Sequence, residues 1–146
     1  MAKENVVETT KFEGVLKSAF SHTEKDDNGN VTRVQNTINL FREGLTRDKF
    51  EDVDEFFNEF YEGKTKKWIP EWHKENKDFI SLKSGYNIPC KLDETGEQMS
   101  FTQFVERGNI RGARVIVKCN IKDTAVYPSA MLIVKDGEAY DAFKDF

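Results

Sequence analysis

The sequence predicts one β-rich domain of mixed α/β class, and three observations carry that prediction. Runs of alternating polar and apolar residues recur along the chain, most clearly over 31–41 and 113–122. Turn-forming groups such as Asn28-Gly29 and Asp93-Glu94-Thr95-Gly96 separate them. The length, 146 residues with 38% hydrophobic side chains, suits a single domain with a real core.

The first strand is expected over 11–20, where Gly14 suits a bend. Asn28-Gly29 closes a hairpin to the second strand, 31–41. There Val34, Ile38 and Leu40 form an apolar face, and Arg33, Gln35, Thr37, Asn39 and Phe41 form a polar one expected to meet solvent. From Asp48 the spacing turns helical: Phe50, Val53, Phe56, Phe57, Phe60 and Tyr61 recur at intervals of three and four. Asp48 with Glu51 reads as a capping box and Gly63 as the stop, giving an acidic helix over 48–62 whose Phe stripe packs on the rest of the domain.

The segment 64–77 holds both tryptophans and five lysines, with Pro70 placed to start a short helix or turn. Strand pieces follow at 79–82 and 86–92, the second restricted to an edge or bulge by Pro89. Ser100 and Gln103 predict a capping box opening a short helix that Gly108 ends. A strand over 113–122 and another over 124–134, with Pro128 inside it, complete the domain.

Five or so strands with a helix between the third and fourth is the order of an OB-like five-stranded barrel. This chain would add a helical insertion between strands 2 and 3, at about 44–78. An α+β sheet with helices on one face reads almost the same. The domain is placed at 1–135, followed by a short acidic C-terminal tail at 136–146.

Net charge is −4, but it is unevenly spread. Residues 42–63 carry 3 basic and 8 acidic side chains, and residues 64–135 carry 13 and 8. A basic body suits a polyanionic partner, because the local field outweighs the total. Cys90 and Cys119 lack CxxC spacing and read as small buried hydrophobes of a reducing compartment. No run approaches the roughly 20 apolar residues of a membrane span, and the first residues lack the apolar core of a signal peptide, so a cytoplasmic location is expected.

Binding a single nucleic-acid strand needs cations along the phosphates and aromatic faces under the bases. The candidates are Arg33 and Phe41 on the second strand, and Lys64, Lys66, Lys67, Trp68 and Trp72 in the insertion. Lys83 and Tyr86 at a turn join them, with Arg111, Arg114, Lys118 and Lys122 at and along the 113–122 strand. Each has a plainer reading: the strand cations as a solvated face, Trp68 and Trp72 as a packing pair, and Tyr86 and Tyr127 as packed rings with the hydroxyl outward.

The stretch 79–134, through Arg111-Gly112-Ala113-Arg114-Val115-Ile116-Val117 and the following Val126-Tyr127, resembles the later half of phage-encoded single-stranded DNA-binding proteins, and the closing 140–146 resembles the short acidic tails, ending in Phe, of phage and bacterial single-strand binders. The resemblance spans about half the chain. It implies an OB fold, sequence-tolerant binding of single-stranded DNA in phage DNA replication or recombination, and host-cell cytoplasm as the location. It also implies a partner-binding tail, here Asp141, Phe143, Asp145 and Phe146, that docks on replication or recombination proteins. The tail is shorter than the bacterial form, contains Lys144 and lacks Pro.

Enzyme classes find no motif: no Walker loop, GxGxxG, HExxH or GxSxG is present, and no cofactor or metal is expected. His22 with Glu24, Asp26 and Asp27 has weak ligand spacing. The rival reading is a small protein-binding module, a phage inhibitor or DNA mimic acting through the acidic helix 48–62. Oligomeric state, a homodimer included, stays open.

Overall fold

The computed structural model describes residues 8–47, 51–52, 78–121 and 126–137. These form nine strands and one helix. In order they are β1 (Glu8–Lys25), β2 (Val31–Phe41), β3 (Thr46–Arg47), β4 (Glu51–Asp52), β5 (Phe79–Ser84), β6 (Cys90–Leu92), β7 (Gln98–Met99), α1 (Phe101–Arg107), β8 (Arg114–Ile121) and β9 (Val126–Lys135). The domain is thus β-rich with one short helix among the described residues.

Strand β1 sets the architecture because it serves two sheets. Residues 8–15 pair antiparallel with β8, and from Leu16 onward the strand pairs antiparallel with β2. The ladder shifts register between Leu16 and Ser18, where the Leu16 N–H donates to the Ala113 carbonyl and the Gly112 N–H donates to that of Leu16. Such an irregularity bends a strand and raises its twist. Gly14, just before it, lets Leu45 pack close to the backbone. A Cβ there would lie 2.7 Å from Leu45 Cδ1.

One sheet runs β4-β3-β1-β8-β9-β6-β7, and β2 and β5 continue from the second half of β1. Among the described residues all the ladders are antiparallel except β6 on β9, which is parallel. Strand β5 has no ladder to β9 among the described residues. Its continuation β6 makes that contact instead.

The alternation read from the sequence places the core. Val115, Val117 and Cys119 of β8 point inward, with Ile38 and Leu40 of β2, Ile80 and Leu82 of β5, and Met131 and Ile133 of β9. Helix α1 closes one side with Phe101 and Phe104, three positions apart on one face and both fully buried. Each such ring contributes about 1.5–3 kcal/mol by leaving water. The predicted capping box is present: Ser100 Oγ accepts from the Gln103 N–H, and Gln103 Oε1 accepts from the Ser100 N–H. Gly108, at φ +82°, ends the helix. Pro128 sits opposite Cys119 at a register shift of β9, where its missing N–H is tolerated.

Three expectations are corrected. The helix read over 48–62 does not include Glu51 and Asp52, which form β4 and pair with β3 on the edge of β1. Short acidic stretches satisfy helical spacing and strand pairing alike, and here pairing prevails. The two strand pieces read at 79–82 and 86–92 are found, but as Phe79–Ser84 and Cys90–Leu92, with residues 85–89 outside either strand. The polar face of β2 is not uniformly wet, since Thr37 and Asn39 are 2% and 7% exposed. The rest of the helix read over 48–62, the segment 64–77, Lys122 and the tail 138–146 lie outside the described residues.

Cys90 and Cys119 are buried and unbridged. No helix among the described residues is long and apolar enough to cross a membrane.

Candidate functional site

The outer face of β1, β2 and β5 gathers much of the chemistry named from the sequence. Register fixes which side chains lie in a row. Phe20, Thr37 and Lys83 stand side by side across the three strands, as do Ser18, Asn39 and Ser81, while Phe41 neighbours Phe79. On the β1 side, Arg33 lies across from Glu24 and Gln35 from His22.

The middle of this face is held by a buried hydrogen-bond chain. Ser81 Oγ donates to Asn39 Oδ1 at 2.6 Å, and Asn39 Nδ2 donates to Ser18 Oγ at 2.8 Å, tying three strands through one amide. Thr37 Oγ1, beside it, is buried without a hydrogen-bond partner.

At one end of the face, Arg33, Gln35 and Lys83 share a groove of about 460 Å³ with Tyr127 from the start of β9. An adjoining pocket of about 370 Å³ lies on the other side of Tyr127 and includes Tyr86, Asn87, Asn120 and Ser129. Tyr86 is 84% exposed, yet its backbone is pinned. The Asn36 amide donates to its carbonyl at 2.8 Å, and its N–H donates to Ser84 Oγ at 3.1 Å. An exposed ring on a fixed backbone loses little entropy when something stacks on it. Arg33 is exposed and makes no ion pair among the described residues. Phe20, 48% exposed, sits one strand away.

At the other end, aromatic rings carry cations. Arg111 lies over the Phe41 ring at 5.5 Å, and Lys17 lies over Phe79 at 4.2 Å. Lys17 also bridges Asp78 at 2.9 Å, and that hydrogen bond holds the Asp78 carboxyl below its ordinary range. Arg33 and Phe41 are therefore on one face but eight positions apart, about 26 Å at strand rise.

Arg114 and Lys118 are exposed as expected but belong elsewhere, on the outer face of β1, β8 and β9. Lys118 borders a groove of about 1010 Å³ with Lys11, Lys91, Ile116 and Leu132. Among the described residues that line it none is aromatic, and the β8 cations lie on a different sheet face from Phe20, Phe41 and Phe79. Lys64, Lys66, Lys67, Trp68, Trp72 and Lys122 lie outside the described residues, as do Asp141, Phe143, Asp145 and Phe146.

Sequence reading missed Phe20, Phe79, Lys17 and the groove-lining role of Tyr127. Phe20 was hidden by the irregularity after Leu16, which changes which face an even-numbered residue occupies. Tyr127 reaches the groove only through the β8–β9 pairing. No group of three or more metal-ligating side chains occurs among the described residues.

Compared with protein-family models, curated proteins and solved structures, the chain gives no match. The functional reading therefore rests on this geometry.

Proposed function

We propose that this protein binds single-stranded DNA, without strong sequence preference, on the outer face of β1, β2 and β5. One observation carries the reading: Arg33, Lys83 and Tyr127 line a single groove whose neighbour holds the exposed Tyr86. Cations that attract phosphates next to rings that accept bases are what sequence-tolerant single-strand binding requires. The wide β8 groove, with lysines but no rings among the described residues, fits that role less well.

We also infer an OB-type barrel. Support comes from β1 shared between two sheets, α1 lying before β8, and the parallel contact of β6 with β9. If β5 and β6 act as one interrupted strand, the order β1-β2-β5/β6-β9-β8 would close on β1. In such barrels the second and third strands and the loops after the first and fourth strands form the binding face. Arg33, Gln35 and Lys83 of the groove at Tyr127 belong to what would be the second and third strands. A role in phage replication or recombination, and a partner-binding tail, follow from the resemblance as parts of the same proposal.

The test is fluorescence anisotropy of a labelled dT oligonucleotide at low and moderate salt, with wild type and with Arg33→Ala/Lys83→Ala. Binding that weakens steeply with salt and is lost in the double variant supports the reading. No binding at low salt overturns it, and pull-downs with the acidic segment 42–63 as bait then become the relevant experiment.

A further inference from the structure

The two pockets that meet at Tyr127 differ in chemistry. The first is cationic, with Arg33 and Lys83. Among the described residues the second is neutral and polar, with the Asn120 amide, the Ser129 hydroxyl and the Tyr86 ring. Ser84, Gly85 and Tyr127 line both, so the two spaces adjoin. The Asn120 side chain has no hydrogen-bond partner among the described residues. The Ser129 hydroxyl donates to the Lys118 carbonyl at 3.1 Å and keeps its lone pairs as acceptors.

A nucleotide has the same two-part character. Its phosphate is an anion with no recognition edge, and its base is a flat ring with donors and acceptors at the rim. We propose that the pockets on either side of Tyr127 form one subsite for an unpaired nucleotide. The phosphate lies against Arg33 and Lys83, the base stacks on Tyr127 and Tyr86, and Asn120 and Ser129 meet the base edge. This rests on the single-strand reading above and assigns its base-binding residues. The Asn120 amide offers both donor and acceptor and the Ser129 hydroxyl accepts, so the subsite accepts different bases while rejecting the absence of one.

Gly85 supplies the means of testing this without disturbing the fold. A Cβ there meets only the Val34 carbonyl oxygen, at 3.5 Å, which is ordinary contact. A larger side chain at 85 would therefore project into the space between the pockets while Arg33 and Lys83 stay in place.

The experiment compares a dT oligonucleotide with an abasic oligonucleotide of equal length, for wild type, Gly85→Leu and Asn120→Ala, with thermal melts alongside. Wild type is expected to bind the dT chain at least fivefold tighter than the abasic chain, because the bases it stacks on Tyr127 and Tyr86 are missing from the abasic chain. In Gly85→Leu that ratio falls threefold or more while abasic binding and melting temperature hold. In Asn120→Ala it falls less. An unchanged ratio in a folded Gly85→Leu that still binds dT overturns the subsite and leaves the single-strand reading standing. If Gly85→Leu melts early, an unchanged ratio in Asn120→Ala overturns it instead. Failure of wild type to bind either oligonucleotide overturns the single-strand reading itself, and the subsite with it.

Discussion

The backbone N–H of Gly137 donates to the Asn109 carbonyl at 2.9 Å, and this closeness leaves no room for a side chain at 137. A Cβ there would lie 2.6–2.7 Å from three backbone oxygens, those of Asn109, Ile110 and Arg111. Backbone oxygens cannot swing aside as a side chain can. Gly137→Ala should cost about 1–3 kcal/mol by overpacking. Gly14→Ala should cost less, because the atom it meets is a terminal methyl of Leu45. Urea melts of the two variants check the order, and an equal or reversed ranking would count against this account.

Asn39 joins Ser18 and Ser81 across three strands, so its removal strands two hydroxyls at once. Asn39→Ala should lower stability by about 1–3 kcal/mol, the cost of leaving buried polar groups unpaired. Ser18→Ala, which breaks only one of the two bonds, should cost less. A double-mutant cycle with Ser81→Ala measures the coupling.

Burial pushes the Cys90 thiol up to about 12 and the Cys119 thiol further up. Both stay protonated in the folded protein at neutral pH, while thiols of the unfolded chain ionise near 8.5. The unfolded state therefore releases protons that the native state keeps as pH rises above about 8.5. Their contribution is fully present below that pH and declines above it, by up to about 1.4 kcal/mol per pH unit for each thiol. A thiol reagent at pH 8 should leave the native protein unmodified and label two groups after denaturation. Rapid labelling of the native protein would contradict the burial.

Phe20 is a large apolar ring on the proposed binding face, 48% exposed. Phe20→Ala should weaken dT binding by about five- to tenfold, within the range for one stacked base, and shift the melting temperature little. Loss of stability without loss of affinity would mark Phe20 as a packing residue.

Arg33→Ala/Lys83→Ala should flatten the plot of log affinity against log salt by about 1.4, since each single-strand phosphate contact contributes a slope of about 0.7. Arg114→Ala/Lys118→Ala, on the other sheet face, should leave the slope nearly unchanged. Salt titrations of both pairs distinguish the two faces.

Local patterns were the legible part of the fold. Ser100 and Gln103 announced α1 because a capping box is a short-range device. The alternation Ala113 to Cys119 announced β8 because one face of that strand is buried throughout. The hairpin turn was also legible: Asp26 Oδ1 accepts from the Asn28 and Asn30 N–H groups, and Gly29 takes φ +82°. The β3–β4 hairpin was not legible, because two-residue strands have no period to read and depend on β1 for pairing. Within the site, Arg33, Lys83 and Tyr86 were named from composition and placement. Their meeting with Tyr127 depends on long-range pairing, which no local pattern encodes.

The division of β1 between two sheets also constrains the order of assembly. Its second half finds β2 across a five-residue turn, a closure of the kind that takes microseconds. Its first half must wait for β8: Glu8 pairs with Ile121, more than a hundred positions later. During synthesis the β1–β2 hairpin is complete long before the other partner of β1 leaves the ribosome. For that interval the hydrogen-bonding edge of residues 8–15 that β8 will occupy has no partner from β8, an exposed edge of the kind on which chains aggregate. Folding limited by so distant a pairing belongs to the slow, millisecond-to-second class of β proteins.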